Sequence, residues 1–472
     1  MLIMRDDLLQ LPLGKDPDAR LKGGRVEVER PSVVPTGDRW SYSWRVVLVT
    51  QAGERINLGG ASFRSDRPVA AASGVGNAAL LASLVPLMRL GLPVTVNAPV
   101  SAVLLRNLAL WQDGMSEWYP ELSRVPIEAP AAGEHPACAA NRGEAALFSF
   151  GVSSWHVVNR HRERLSELVW LDGIAPAVAP PARRQNLRSR LAAIARALGL
   201  EATVVETDAG DWLARWGPWE WTMGTVLGAV TMLLEGRCRI ARLGSRAPSF
   251  HPDRHGYNPL IQPMFSTGLI RTSYDGGELD RAGKLLDLID QPLALANLLV
   301  CGNPRQVEGN CGGCPRCMWT RVTLALLADP SLCPLMPPAE PDPQWIDQLP
   351  FDPEFVRFAR ELIKLAGWIG TGRHPLAEAL QRRLLREQAA AMMEPETGVL
   401  ALMEEADWRR LARHHRQALA DDLFDHAAGI ADEVLLPALA KAPREALEHL
   451  WAQEGGTWLK RRVRRFSGNH PG

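Results

Sequence analysis

The sequence lacks an excess of charge of either sign. Its 53 Lys and Arg residues equal its 53 Asp and Glu residues, so the formal net charge at pH 7 is zero. A protein drawn to nucleic acid or to an anionic membrane by its overall field needs a net positive charge. The balance counts against nucleic acid as a partner and leaves only local basic patches to consider.

Targeting signals are also lacking. The opening residues, MLIMRDDLLQLPLG, contain acids and prolines instead of a basic stretch followed by an apolar run, which argues against a secretory signal. We find no uncharged apolar stretch long enough to span a bilayer. With 46% apolar and 22% charged residues, the composition is that of a globular protein, expected in the cytoplasm without a membrane partner.

Cysteine is scarce and odd in number. Four of the seven cysteines fall within residues 301–317, a pattern that does not fit a secreted disulfide framework. The 472 residues are too many for one ordinary core, so we expect two or three domains. Oligomeric state cannot be predicted from these features.

Residue patterns divide the chain into three regions. Residues 1–130 alternate short strands and helices, including a helix over 78–91, and predict a small α+β domain. Residues 144–335 alternate buried strands with helices, including a helix from Ser154 to about Leu168, which predicts an α/β domain with a parallel sheet. Residues 340–472 predict a helical region.

In a parallel sheet of this kind, ligands bind at the carboxyl ends of the strands. The loops expected there contain Asp172, Gly173, Glu206 and Asp208. The two acids Glu206 and Asp208 suit a metal or a substrate amine, although exposed acids at strand ends are common. Arg246 and His255 lie in the polar loop 244–259, which suits substrate contacts and equally suits a solvated loop.

Four tryptophans crowd into the segment DWLARWGPWEW, residues 211–221. They suit either an aromatic platform for a flat ligand or packing in a core, and large aromatic side chains more often pack.

The segment CGNPRQVEGNCGGCPRC contains Cys301, Cys311, Cys314 and Cys317. Two-residue gaps allow thiolates to face one tetrahedral ion, and four thiolates complete a structural zinc site. Glycines 312 and 313 are expected to allow the tight turn. An iron–sulfur cluster and reduced or redox cysteines are the alternatives.

The segment ALFSFGVSSWHVV resembles the phosphate-binding loop of the N-type ATP pyrophosphatases, whose pattern is Ser-Gly-Gly-x-Asp-Ser after a strand. The cysteine segment is similar to the zinc motif of 7-cyano-7-deazaguanine synthase, a member of that superfamily. The resemblance covers roughly residues 144–325. Ser149, Gly151 and Ser154 match the pattern, whereas Phe150 replaces the first glycine and Ser153 replaces the aspartate.

The resemblance implies a parallel α/β core of adenine-nucleotide-binding (HUP-like) type with a zinc knuckle. It implies that ATP binds at Ser149, Gly151, Ser153 and Ser154, with Asp172 and Gly173 near the adenosine, and that Mg²⁺ accompanies ATP. Phe150 is expected to place its ring at the phosphate approach, and Ser153 is expected to cap the helix or donate to an anion.

Three function classes follow from the resemblance. The first is a ligase that adenylates a small carboxylate with release of pyrophosphate. The second is a silent relative that binds a partner protein, favoured by the changes at Phe150 and Ser153. The third is a tRNA-modifying ATP pyrophosphatase, against which the zero net charge counts. No catalytic residue can be named from the sequence.

Overall fold

The structure is a computed structural model that describes most of the chain up to Met393. The described residues are 21–69, 72–133, 142–174, 180–246, 254–303, 306–327, 330–337, 341–349, 351–372 and 374–393. The described residues omit part of 129–143, the stretch at the predicted boundary between the first two regions. They also omit all residues beyond 393, so the structure does not describe what was predicted there.

The described strands all belong to one sheet. They are β1 (Arg25–Val28), β2 (Ser32–Thr36), β3 (Arg39–Val49), β4 (Arg55–Ser65), β5 (Val94–Val96), β6 (Ile127–Glu128), β7 (Gly143–Leu147), β8 (Leu165–Asp172), β9 (Glu201–Thr207), β10 (Cys238–Gly244) and β11 (Arg271–Asp275).

Helices connect and cover the strands. Those described are α1 (Ala72–Leu90), α2 (Ala102–Trp118), α3 (Val152–His161), α4 (Pro181–Leu198), α5 (Ala209–Leu213), α6 (Trp219–Leu233), α7 (Arg281–Asp287), α8 (Pro292–Ala296), α9 (Pro315–Leu327), α10 (Pro343–Gln348), α11 (Pro353–Trp368) and α12 (Pro375–Met393).

The sheet has a parallel half and a mixed half. Its order is β11-β10-β7-β8-β9-β4-β3-β1-β5-β6, with β2 paired to β3. All pairs from β11 to β9 are parallel, whereas β9–β4, β4–β3 and β3–β1 are antiparallel. The predicted α/β class with a mostly parallel sheet is confirmed at this level.

Strand order in the parallel half reverses between β7 and β10. From β7 the chain moves outward to β8 and β9, and then returns to place β10 and β11 on the other side of β7. In open α/β sheets such a reversal leaves a crevice at the carboxyl ends of the two central strands. The loop that follows β7, residues 148–151, lies at this point.

The boundary predicted between residues 1–130 and 144–335 differs from the observed organisation. Strand β4 pairs with β9 in the register Phe63↔Thr207 and Arg64↔Glu206, so backbone hydrogen bonds join the two regions in one sheet. The chain divides instead into one compact unit of residues 1–314 and 332–337, and another of residues 315–331 and 338–472. Composition separates the regions, but composition carries no information on pairing between distant strands.

Two local predictions need correction. The helix expected from Ser154 to Leu168 ends at His161, where the N–H of Arg164 closes a turn on the His161 carbonyl at 2.8 Å. Strand β8 then begins at Leu165, and most of its residues are buried. Strand β11 was not predicted, because its sequence, RTSYD, is short and polar.

Helix α1 forms the centre of the first unit's core. Its segment Ser73–Leu90 has the length and hydropathy of a membrane span, but 89% of that segment is buried inside the protein. Its close packing on α6 requires small residues, since a Cβ on Gly74 would lie 2.6 Å from the Met232 carbonyl oxygen. A helix that is apolar on all sides is typical of such a buried position.

The described part of the second unit is helical. Trp319 of α9 packs on Phe358 of α11 with ring centroids 4.1 Å apart, and the Arg321 guanidinium lies 4.5 Å from the Trp345 ring centroid. Asp352 caps α11 by accepting from the N–H of Phe355.

Candidate functional site

The loop after β7 leads directly into the amino terminus of α3. Gly151 is the N-cap residue, and among the described residues no side chain caps this helix end. The first hydrogen bond of the helix runs from the Trp155 N–H to the Gly151 carbonyl at 3.0 Å. Residues 152–154 come before Trp155 in the chain, so their N–H groups have no carbonyl acceptor within the helix. Such a helix end attracts anions through these N–H groups and through the helix dipole.

Phe150 adopts a backbone conformation normally reserved for glycine. Its φ is +63°, and among the described residues it is the one non-glycine residue with positive φ. The side chain is 1% exposed, with its ring centroid 4.9 Å from that of Phe148 and 6.2 Å from that of Trp170. The ring therefore packs inward, and the expectation that it lies at the phosphate approach is wrong. The loop keeps its glycine-like backbone while its side chain contributes to the core.

The three serines of the loop have different roles. The exposed Ser149 hydroxyl lies 3.4 Å from the Ser154 hydroxyl, and Ser154 donates to the Gly151 carbonyl at 2.9 Å. Ser153 donates to the Ser245 carbonyl, just beyond β10, at 2.8 Å. It does not cap α3, contrary to expectation.

Helix α3 and the end of β10 approach each other closely at this point. A Cβ on Gly244 would lie 2.7 Å from the Ser153 carbonyl oxygen, so no larger residue fits there without a shift. The sheet reversal thus brings the predicted segments Ser149–Ser154 and Gly244–Ser245 together.

Asp172 and Glu206 lie next to each other, in register, at the ends of β8 and β9. Asp172 accepts from Arg184 Nε at 2.7 Å and from Arg188 at 3.3 Å. Glu206 accepts from Arg39 at 2.8 Å and also from Arg188. Both carboxylates are buried and neutralised by arginines, so neither is an open metal ligand in this geometry.

The environment of Glu206 favours its charged form. Burial acts to raise its pKa, but the nearby guanidinium groups of Arg188, Arg39 and Arg64 outweigh burial and lower the pKa below its usual value. Glu206 is therefore an anion at neutral pH.

Gly173 and Asp208 have structural partners in the same region. Gly173 has φ +87°, and a Cβ there would lie 2.1 Å from the Thr207 carbonyl oxygen, which requires glycine at this strand end. The Asp208 carboxylate accepts from the N–H and hydroxyl of Ser62, at 2.6 and 2.8 Å. It therefore ties β4 to the end of β9.

The loop 244–259 is described only at its two ends, and His251 lies outside the described residues. Arg246 is exposed, and its N–H donates to the Tyr274 hydroxyl at 3.0 Å. His255 is buried and accepts at Nδ1 from the Tyr257 N–H at 3.0 Å. Burial, aided by Arg246, lowers the His255 pKa to about 4, so this imidazole is neutral at physiological pH.

A buried polar group that was not predicted from the sequence lies beside the same crevice. Lys284 of α7 is 1% exposed, and its Nζ donates to the carbonyl oxygen of Ser245 at 3.0 Å and to the Ser245 hydroxyl. His156 of α3 pairs through Nδ1 with Asp287 at 2.8 Å. Strand β11, which leads to α7, was itself not predicted, so no sequence pattern pointed to these residues.

The four predicted cysteines form one cluster. The Sγ atoms of Cys301, Cys311, Cys314 and Cys317 all lie within 4.8 Å of one another, and these cysteines are not joined by disulfides. A tetrahedral zinc site with bonds of about 2.3 Å places its sulfur atoms about 3.8 Å apart. The cluster is close enough to bind a metal ion.

Backbone N–H groups donate to two of these sulfurs with different results, since burial outweighs the donors at Cys301 and raises its pKa, whereas the donors prevail at Cys311. The N–H of Cys314 donates to Cys311 Sγ at 3.3 Å, and the N–H of Asn303 donates to Cys301 Sγ at 3.4 Å. Burial acts to raise the pKa of Cys311, but N–H donors from Cys314 and Gly313 outweigh it and lower the pKa to about 7. A thiolate is the form that binds metal.

Two residues other than the cysteines fix the cysteine loop. Buried Asn310 accepts from the N–H groups of Val300 and Cys301 at 2.8 and 3.1 Å, and its amide donates to the Leu298 carbonyl at 2.9 Å. Arg183 of α4 donates to the Asn303 carbonyl at 2.8 Å. The spacing of cysteines alone gives no sign of either residue.

The two glycines of the knuckle are not equivalent. Gly312 has φ +76°, which supports its predicted role in the turn. Gly313 has no positive φ, and a Cβ there would meet nothing within 4 Å, so its predicted role is not supported.

The tryptophan segment is largely a packing element. Trp212, Trp216 and Trp221 are buried, and Trp212 Nε1 donates to the Leu58 carbonyl at 3.1 Å. Packing, the alternative favoured from sequence, therefore accounts for these three side chains.

Comparison of the chain with protein-family models, with curated proteins and with solved structures finds no match.

Proposed function

We propose that this chain binds ATP with its phosphates at the amino terminus of α3 and uses it to adenylate a small carboxylate. The observation that carries the proposal is the left-handed Phe150 with its ring in the core. This arrangement leaves the N–H groups of residues 152–154 directed to the loop and uncovered by any capping side chain. In this proposal the core is of the HUP-like type, and the protein is an N-type ATP pyrophosphatase.

The proposed reaction transfers the adenylyl group. A carboxylate oxygen attacks the α-phosphorus of ATP, the bond from that phosphorus to the bridging oxygen breaks, and pyrophosphate leaves with the electron pair. A nucleophile then displaces AMP from the acyl adenylate. Backbone N–H groups at α3 stabilise the charge that develops on pyrophosphate. We expect the carboxylate near the loop 244–259, where Arg246 is exposed.

Neither of the two carboxylates at the ends of β8 and β9 is an open magnesium ligand in this geometry. Asp172 and Glu206 are paired with arginines, and Ser153 stands where the resembling family has aspartate. In this proposal Mg²⁺ would accompany ATP, and Asp172 and Glu206 would not be its ligands.

These same residues favour a second candidate function, in which the chain binds nucleotide without turning it over and serves a partner protein. Its specific support is the pairing of both carboxylates and the use of the Ser153 hydroxyl on the Ser245 carbonyl. The third candidate, a tRNA-modifying enzyme, is disfavoured by the zero net charge of the chain.

For the cysteine cluster we propose a structural zinc ion. Four sulfur ligands leave no open position, and the hydrogen-bonded loop around Asn310 gives the site a fixed geometry. Reduced thiols of this kind suit the cytoplasm, where we place the protein.

Pyrophosphate–ATP exchange tests the enzymatic proposal. The zinc-loaded protein is mixed with ATP, Mg²⁺, labelled pyrophosphate and a panel of small carboxylates. Carboxylate-dependent appearance of label in ATP supports adenylation. ATP binding without exchange, for every carboxylate tried, would contradict adenylation and support the second candidate.

A further inference from the structure

A cluster of positive charge lies at the carboxyl ends of β8 and β9, apart from the amino terminus of α3. It contains four arginines and two carboxylates, and we name it the arginine cluster: Arg39, Arg64, Arg184, Arg188, Asp172 and Glu206.

Two of the arginines come from strands in the mixed half of the sheet, and two come from helix α4. Arg39 and Arg64 belong to β3 and β4, and Arg64 lies directly opposite Glu206 in the β4–β9 register. Arg184 and Arg188 are four residues apart on α4 and therefore share one face of that helix. The four guanidinium groups converge on two adjacent strand ends.

The cluster carries more positive than negative charge. Two carboxylates need two guanidinium partners, and within the described residues the acids paired with these four arginines are Asp172 and Glu206. The segment that follows this strand end, residues 174–180, has the sequence IAPAVAP and contains no acid. The cluster therefore has a formal charge of about +2 at neutral pH.

This excess charge is accessible from one side. The side chains of Arg39 and Arg64 are 38% and 57% exposed, whereas those of Arg184 and Arg188 are 30% and 19% exposed. Asp172 pairs with Arg184 and Arg188, whereas Glu206 also pairs with Arg39 and Arg64, the two arginines that reach furthest into solvent. Guanidinium groups present paired N–H donors that match the oxygen pairs of carboxylates and phosphates.

Aromatic packing connects the cluster to the loop after β7. The Arg188 guanidinium lies 5.8 Å from the Trp170 ring centroid, and Trp170 packs edge-on to Phe150 at 6.2 Å. The side chain of Trp170 would therefore lie between a ligand at the arginine cluster and the loop after β7.

We infer that the arginine cluster binds an oxyanion with two negative charges, such as a phosphate group or a dicarboxylate, through Arg39 and Arg64. The ligand neutralises the excess charge, while Asp172 and Glu206 keep all four guanidinium groups in place. This site does not depend on nucleotide binding at α3.

The test uses inorganic phosphate and succinate as separate probes, each titrated into the full-length zinc-loaded protein and followed by calorimetry. We expect at least one probe to bind, and added NaCl to weaken that binding because salt screens exposed charges. The double variant Arg39→Gln/Arg64→Gln should weaken binding roughly tenfold or more, since it removes two charge-assisted donors. Which probe binds tells the phosphate source from the dicarboxylate source.

The matched control is Arg67→Gln. Arg67 pairs with Glu201 at the surface of the same part of the sheet and does not belong to the cluster, so this variant should bind the probe as the unmodified protein does. Equal binding by the double variant and the unmodified protein, or no binding of either probe, would overturn the assignment.

Gly151→Trp separates this site from the proposed ATP site. It should abolish ATP binding and leave probe binding intact, whereas the double arginine variant should do the reverse. Probe binding that is lost in Gly151→Trp and retained in the double variant would assign the anion to α3 and overturn the inference.

Discussion

From the left-handed backbone of Phe150 we predict that glycine is a less destabilising replacement than alanine at this position. The ring is fully buried against Phe148 and Trp170, so its removal should cost about 3–5 kcal/mol of the free energy of unfolding. A φ of +63° disfavours any residue with a Cβ by about 1–2 kcal/mol, a cost that glycine does not bear. Phe150→Gly should therefore be about 1 kcal/mol more stable than Phe150→Ala, and both should be less stable than the unmodified protein.

Phe148 supplies the matched control. Its ring is equally buried, but its backbone lies outside the positive-φ region. At this position glycine should be less stable than alanine, because glycine loses more backbone entropy on folding, by about 0.5–1 kcal/mol.

Urea unfolding followed by tryptophan fluorescence measures all four variants. We expect the glycine variant to be more stable than the alanine variant at position 150 and less stable than the alanine variant at position 148. If alanine equals or exceeds glycine at both positions, residue 150 is not left-handed in solution and the description of the loop is wrong.

The remaining predictions concern the metal cluster and pH. Cys314→Ser should release the metal, as measured by elemental analysis, and should lower the unfolding temperature. The control Cys333→Ser changes a buried cysteine outside the cluster and should keep the metal. If metal-free Cys314→Ser were as stable as the unmodified protein, the ion would not be structural. Asn310→Ala should increase the rate at which a chelator removes the metal, because it frees the loop around Cys301; an unchanged rate would refute this role. His255 should contribute about 3 kcal/mol to the loss of stability as pH drops from 6.5 to 4, because the unfolded chain takes up a proton that this buried imidazole does not. His255→Asn, which keeps an acceptor for the Tyr257 N–H, should reduce the loss by that amount, and a pH profile identical to that of the unmodified protein would refute the assignment.

Local patterns in the sequence predicted several elements well. The helix before Gly91 ends at Leu90, as glycine at a left-handed C-terminus requires, and Gly91 has φ +67°. The cysteine spacing correctly identified residues that lie together. In both cases the information lies within a few neighbouring residues.

Those local patterns contain no information on which distant strands pair with each other. Nothing near Arg64 indicates that it faces Glu206, which is 142 positions away, yet that register joins the two halves of the sheet and builds the arginine cluster. The inward direction of the Phe150 ring was also not predicted, because it depends on packing against Trp170 of β8.

The most direct test of the proposed function is calorimetric titration of ATP with Mg²⁺ into zinc-loaded protein, compared with Gly151→Ala and Gly151→Trp. A Cβ at 151 would meet only ordinary contacts, the closest at 3.5 Å, so alanine should fit and retain binding, whereas the bulk of tryptophan should block the phosphates. The account predicts saturable ATP binding that survives Gly151→Ala and disappears in Gly151→Trp. Absence of binding at millimolar ATP, or equal binding by all three proteins, would contradict it.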